Sequence, residues 1–297
     1  MDVDAERAVV LEHAGIVGHA DGSRAGAVLP ASRSVCCAGL GRAPIHFERL
    51  PNGLELLVRE SHAAAVAEVQ IFARVGSADE RPGEAGLAHF HEHMLFKGTS
   101  RRSVGQVAGE VEGAGGHINA YTSFDQTVYH ITISGRYLAE ALDILADTLG
   151  NSVFDPKELD REKEVVLEEL RMNEDNPGRM NGKAMFREAY RIHPYGRPVI
   201  GYDNTIRSTT RDDLVAYFSN HYVPGNMVLV IAGDVDPGKA RPLVEKTFLP
   251  LRTHEIPPSG VADEPPQEGI RVKVQEREAE RVYLDLGFHG PSMRDGE

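Results

Sequence analysis

The sequence predicts an α+β fold, an antiparallel sheet with helices packed mainly on one face. Three observations lead there. Extended segments alternate apolar and polar side chains with a period of two, so each has one face to bury. Two pairs of these segments are joined by short turns, at Pro51-Asn52-Gly53 and at residues 123–125, which makes the partners antiparallel. Other segments carry one apolar stripe at helical spacing, such as Leu138, Leu142, Leu145 and Leu149, suited to covering a single sheet face.

In order, residues 45–50 and 54–60 read as strands flanking the Asn-Gly turn, whose residues tolerate positive φ. Residues 66–75 form a third strand, with Val69, Ile71, Ala73 and Val75 alternating against Glu68, Gln70 and Arg74. A loop then leads into GLAHFHEHMLFKG, residues 86–98, read as a helix that Gly98 stops. Ser103 is placed to cap a helix running to Glu112. Residues 115–134 read as two strands, rich in Thr, Tyr, Val and Ile. A helix follows over 136–149. Asp155-Pro156-Lys157-Glu158 starts another, with Asp as cap and Pro in the first turn. It is expected to run to Asn173, where Asn176-Pro177-Gly178 breaks the chain before a helix over 180–191. Thr210 caps a helix to Asn220, with Asp212 and Asp213 at its positive end. Residues 227–232 are wholly apolar and read as a buried strand, and Pro237 opens a helix to Phe248. A Pro-rich acidic linker covers 252–268. Strand alternation returns over 272–288, clearest at Val282, Leu284, Leu286 and Phe288.

The chemistry concentrates in residues 86–98. His89, Glu92 and His93 stand in the order His-x-x-Glu-His. At about 100° per residue, Glu92 and His93 fall within roughly 60° of His89, on either side of it. Two imidazoles one turn apart can chelate zinc, and a carboxylate beside the metal-bound water can act as general base on it. That residue order is the inverted form of the zinc-peptidase signature. His91 lies about 200° from His89 and faces away. A third ligand must come from elsewhere. Glu162 and Glu169, seven residues apart on one helix, face the same way and are the leading candidates.

Composition is that of a globular protein: 41% hydrophobic and 26% charged residues. A net charge of -13 argues against a phosphate-backbone partner, so nucleic acid is not expected. It hints instead at basic substrates. Cys36 and Cys37 are adjacent, which disfavours a mutual bridge. No apolar run approaches a membrane span, and the acidic start MDVDAERAVV lacks a signal peptide's basic region, so a cytoplasmic location is expected. Residues 1–43 read as a poorly ordered extension.

The stretches AGLAHFHEHMLFKGT, GGHINAYTSFDQTVY, REKEVVLEEL, HPYGRPVIG and YVPGNMVLVIAGDVDP together resemble the pitrilysin/insulinase family of zinc metallopeptidases, in its processing-peptidase-like branch. The resemblance covers residues 44–288, in family order. It implies a processing-peptidase-like metallohydrolase fold and one zinc ion per chain. The implied ligands are His89, His93 and Glu169, with Glu92 as catalytic base and Glu162 as an acid orienting the ligands from behind. Asn119 and Ala120 match the strand edge that holds an extended substrate in relatives. By the same resemblance, residues 44–251 are the catalytic domain, 252–268 a linker, and 269–297 the start of a second similar domain. A missing C-terminal half, or a partner chain in a dimer, would complete the substrate chamber. His91 departs from the family's usual apolar residue, and a packing change is expected there.

The expected function is therefore a zinc-dependent metalloendopeptidase acting on extended peptides or presequences. Two alternatives stand beside it. One is a non-catalytic, peptide-binding or structural subunit, although the motif residues such a subunit usually loses are present. The other is a zinc enzyme acting on a small thioether, against which the stretches beyond residue 150 argue.

Overall fold

The computed structural model describes residues 44–258, 260–278 and 280–290. The predicted extension 1–43, with Cys36 and Cys37, lies outside them. The strands are β1 (Ile45–Arg49), β2 (Glu55–Glu60), β3 (Val66–Ala73), β4 (His117–Thr122), β5 (Thr127–Ser134) and β6 (Met227–Gly233). The helices are α1 (Leu87–Leu95), α2 (Gln106–Gly113), α3 (Leu138–Asn151), α4 (Pro156–Glu174), α5 (Pro177–Ala189), α6 (Asp203–Ser208), α7 (Arg211–His221) and α8 (Pro237–Phe248).

The strands form one sheet in the order β1-β2-β6-β3-β5-β4. Every adjacent pair is antiparallel except β2–β6, which is parallel. This corrects the expectation of a wholly antiparallel sheet. Residues 61–65 join β2 to β3 across a gap one strand wide, roughly 10 Å, which five residues span easily. β6 fills that gap from far along the chain, so it must run parallel to one neighbour and antiparallel to the other. Its apolar sequence suits this central place.

The period-two pattern of the strands has the expected consequence. Ala67, Val69, Ile71 and Ala73 of β3 are buried, while Glu68, Gln70 and Phe72 are half-exposed on the other face. Helices α3 and α8 pack on the buried face, α3 against β3 and β5 and α8 against β2. Asn52 joins the first turn to this layer, since its amide nitrogen donates to the Phe248 carbonyl at the end of α8.

Several helix ends differ from the expectation, each for a local reason. Asn176 caps α5 by accepting from the Arg179 N–H, and Pro177 takes the first position, so the motif that ends α4 as expected also starts the next helix, three residues earlier than expected. The Ser103 hydroxyl bonds the Gln106 side chain, and Gly105 in the left-handed region caps α2. The short helix α6 was not anticipated. No helix among the described residues is long and apolar enough to cross a membrane.

The strand expected over 272–288 does not form. A strand is a paired state, and no strand lies beside this segment among the described residues, so Val282, Leu284, Leu286 and Phe288 stay largely exposed. The residues just before it are tied to the end of α5. The Glu264 carboxylate accepts from the N–H groups of Arg191, Ile192 and His193, and Arg271 donates to the carbonyls of Glu188 and Ala189.

His91 is fully buried, in an aromatic surround of Phe154, Tyr217, Phe218 and Tyr222, at centroid distances from 4.3 to 5.6 Å. Neither ring nitrogen has a hydrogen-bond partner among the described residues, and burial pulls its pKa down to about 3. An unpaired buried polar group costs about 1–3 kcal/mol, so His91→Leu is expected to raise the melting temperature. The unfolded chain takes up a proton below pH 6.5, and the folded one does not until about pH 3. Wild-type stability therefore falls as pH drops through that window, and the gain from His91→Leu should be about 2 kcal/mol larger at pH 5 than at pH 8. A variant no more stable than wild type at either pH, by thermal unfolding, would contradict this account.

Candidate metal centre

Helix α1 is fixed before its ligands are. Its cap, Gly86, has φ +97°, and a Cβ there would stand 2.6 Å from the Ile200 carbonyl oxygen. Gly201, at φ +81°, abuts Ala85 in the same way, so the two glycines let the 198–201 loop lie against the start of the helix. The free N–H groups of Gly86 and Ala88 are taken by the buried carboxylate of Glu80, at 3.1 and 2.7 Å. Burial pushes Glu80 up to about 8, against the pull of those two bonds and of Arg197.

From this helix His89 and His93 project toward α4. Their Nε2 atoms each lie 3.7 Å from Oε2 of Glu169. Donors held 2.0–2.1 Å from a tetrahedral zinc ion stand about 3.3 Å apart, close to the separation of each histidine from Glu169, and all three donors lie within 4.8 Å of one another. Among the described residues, no other group of His, Cys, Asp or Glu side chains converges in this way. Burial, and then the charge of His93, pull His89 down to about 3, which keeps its imidazole neutral as a ligand must be.

Glu162, the other candidate on α4, is placed differently. Its Oε1 meets Nδ1 of His93 at 2.9 Å, and its Oε2 takes the Lys97 ammonium at 2.6 Å. Burial alone would raise this carboxyl, but the bonds to His93 and Lys97 outweigh it and hold it below the usual range. Glu162 thus turns His93 so that Nε2 faces Glu169. For His93 itself burial acts downward, and the bond to Glu162 with the charges of Glu92, Glu162 and Glu169 carries the pKa upward.

Glu92 shares α1 with the two histidines without joining the three donors. Its Oε2 accepts from the Thr122 hydroxyl at 2.5 Å, and burial raises its pKa. Thr122 ends β4, the edge strand of the sheet, and sequence reasoning gave it no role. The signal was available, since Thr122 shares a face with Ala120 two residues earlier. On the same strand Ala120 is half-buried against the core, while the exposed Asn119 turns its side-chain oxygen to the Ala120 N–H at 2.9 Å. That N–H therefore points out from the free sheet edge, not toward β5. A cleft of about 330 Å³ opens beside these residues, lined by His89, Thr122 and Glu169 and by Arg179, Met180 and Lys183 of α5. A larger hollow, about 460 Å³, lies between α5 and the C-terminal segment and contains none of these site residues.

Two family models match the chain: insulinase, peptidase family M16, over residues 56–203, and the peptidase M16 inactive domain over residues 208–297. The chain belongs to the insulinase family. Its branch is processing-peptidase-like. It is 35% identical over 248 residues to a probable mitochondrial-processing peptidase subunit beta of Arabidopsis thaliana, covering 83% of this chain and 47% of that protein. An uncharacterized zinc protease of Rickettsia felis is 34% identical over 210 residues, covering 71% of this chain and 51% of the relative. The crystal structure of a protease from Helicobacter pylori matches with a TM-score of 0.72 at 32% identity, covering 75% of this chain and 55% of that one. The chain thus spans about half the length of these relatives. The boundary between the two family matches falls within α6, yet β6 completes the sheet that β2 and β3 began.

Proposed function

We propose that the chain is the zinc-binding part of a metalloendopeptidase that hydrolyses extended peptides. The observation that carries this is the convergence of His89, His93 and Glu169 on one point, with Glu92 held beside it by Thr122. These residues would hold one zinc ion per chain, which when bound supplies a Lewis acid that polarises the scissile carbonyl and lowers the pKa of water toward about 7. Glu92 takes the proton of the attacking water and passes it to the leaving amine. Asn119 and Ala120 sit where a peptide would add to the edge of β4. The outward N–H of Ala120 is the first backbone group such a strand would meet, displacing the Asn119 oxygen.

The relatives' names include zinc proteases and a processing peptidase subunit, which supports zinc as the metal and peptides as substrates. Because the chain spans about half of those relatives, a C-terminal half or a partner chain is assigned the rest of the substrate chamber. The competing reading, a non-catalytic peptide-binding subunit, draws on the match of residues 208–297 to an inactive domain.

Metal exchange separates the two. Chelated protein is expected to cleave no unstructured peptide, and one equivalent of zinc should restore cleavage, measured by mass spectrometry of a peptide mixture. Stoichiometric zinc without cleavage, even after adding the C-terminal half of a relative in trans, would favour the non-catalytic subunit.

A further inference from the structure

The cleft beside the metal group has a charged wall. Arg179 and Lys183, four residues apart on α5, share a helix face, and both line the cleft that contains His89 and Glu169. Lys183 is 3.9 Å from Glu174 and lies over the Tyr202 ring at 5.9 Å. Arg179 is exposed and, among the described residues, forms no ion pair; its guanidinium donates to the neutral side-chain oxygen of Asn173. The carboxylates lining this cleft are Glu169, which belongs to the metal group, and Glu174, at the limit of ion-pair distance from Lys183. With Glu169 engaged, the wall holds more positive than negative charge.

Helix stability does not account for this arrangement. Arg179 is the third residue of α5, near the positive end of the helix dipole, where a cation is disfavoured. Helices α4 and α7 follow the rule, with Glu158 and with Asp212 and Asp213 in their first turns, whereas α5 has no acid there. Such a local violation beside a reactive group is where a functional requirement is expected. The neighbouring lining residues Leu170, Met180 and Ile200 are apolar and offer the two cations no counter-charge.

Resting on the peptidase reading above, we propose that Arg179 and Lys183 select substrates with an acidic side chain, Asp or Glu, within a few residues of the scissile bond. The net charge of -13 hints at the opposite preference. Charges farther away than the Debye length, about 8 Å at physiological salt, count for little, so the local wall decides.

The test is binding, read independently of turnover. Zinc-loaded Glu92→Gln protein is titrated, by fluorescence anisotropy, into three labelled unstructured peptides that differ only in carrying Glu, Gln or Lys at the central positions. The Glu peptide should bind about tenfold tighter than the Gln peptide, equivalent to about 1.4 kcal/mol, and the gap should shrink at high salt. Adding Arg179→Glu and Lys183→Glu should reverse the order in favour of the Lys peptide, a result that loss of folding cannot produce. Equal binding of the Glu and Gln peptides, undetectable binding of all three included, overturns the proposal, as does an unchanged order in the charge-reversed protein. Cleavage by the wild-type protein, followed alongside, keeps the two readings apart. Discrimination without cleavage, even with the C-terminal half of a relative added in trans, sinks the peptidase reading alone, and cleavage without discrimination sinks this inference alone.

Discussion

Glu92→Gln is expected to bind zinc as the wild type does and to hydrolyse peptides about a thousandfold more slowly, within the range that a positioned general base contributes. The reasoning is geometric. Glu92 is not among the three converging donors, so an isosteric amide leaves the metal group intact. The amide oxygen can still accept from the Thr122 hydroxyl, so the side chain keeps its place. What it loses is the capacity to take a proton from water. Zinc content by elemental analysis and turnover of one peptide under saturating conditions measure the two halves of the statement. Undiminished turnover would remove Glu92 from its role. Loss of zinc would mean that the carboxylate helps hold the metal after all.

How much of this was legible in the sequence depended on how local each interaction is. The three functional residues of α1 could be placed because helical periodicity alone fixes their common face, and the two acids of α4 because seven residues nearly complete two turns. Periodicity could not say which acid faces which nitrogen. That depends on how α4 is rolled against α1, and the structure puts Glu169 against both Nε2 atoms and Glu162 against Nδ1 of His93. Thr122 escaped because it meets Glu92 across thirty residues, and threonine in a strand already has a sufficient reason to be there. Glu80 escaped for the same reason, since a buried carboxylate capping a helix eight residues onward has no short-range signature. The parallel pairing of β6 with β2 is a matter of topology, invisible to a two-residue period. The alternation over 272–288 was read correctly as a pattern, but a pattern becomes a strand only when a neighbour supplies the ladder.

The division of labour between the two acids of α4 yields the second large effect. Glu169→Gln should weaken zinc binding far more than Glu162→Gln, because it replaces a ligand's charge and not only its surroundings. Glu162→Gln should weaken it about 10–100-fold at pH 7.5, the usual cost of losing a partner that orients a metal-binding histidine. The two variants should also differ in pH dependence. Zinc must displace the proton from His93, and the bond from Glu162 is the foremost influence holding that proton on. Wild-type affinity is therefore lost as pH falls through the raised pKa of His93. With Glu162→Gln that support is gone, His93 releases its proton more readily, and the acid-side loss should begin at a lower pH. The variant's affinity curve would then lie below the wild type's at neutral pH and converge with it under acid conditions. Competition against a zinc indicator across pH gives both curves. Lys97 loses its carboxylate partner in this variant, so circular dichroism must first show the fold unchanged. Parallel curves displaced by a constant amount would mean that Glu162 orients the ring without governing its proton. A Glu162→Gln defect as large as that of Glu169→Gln would mean the ligand assignment on α4 is reversed.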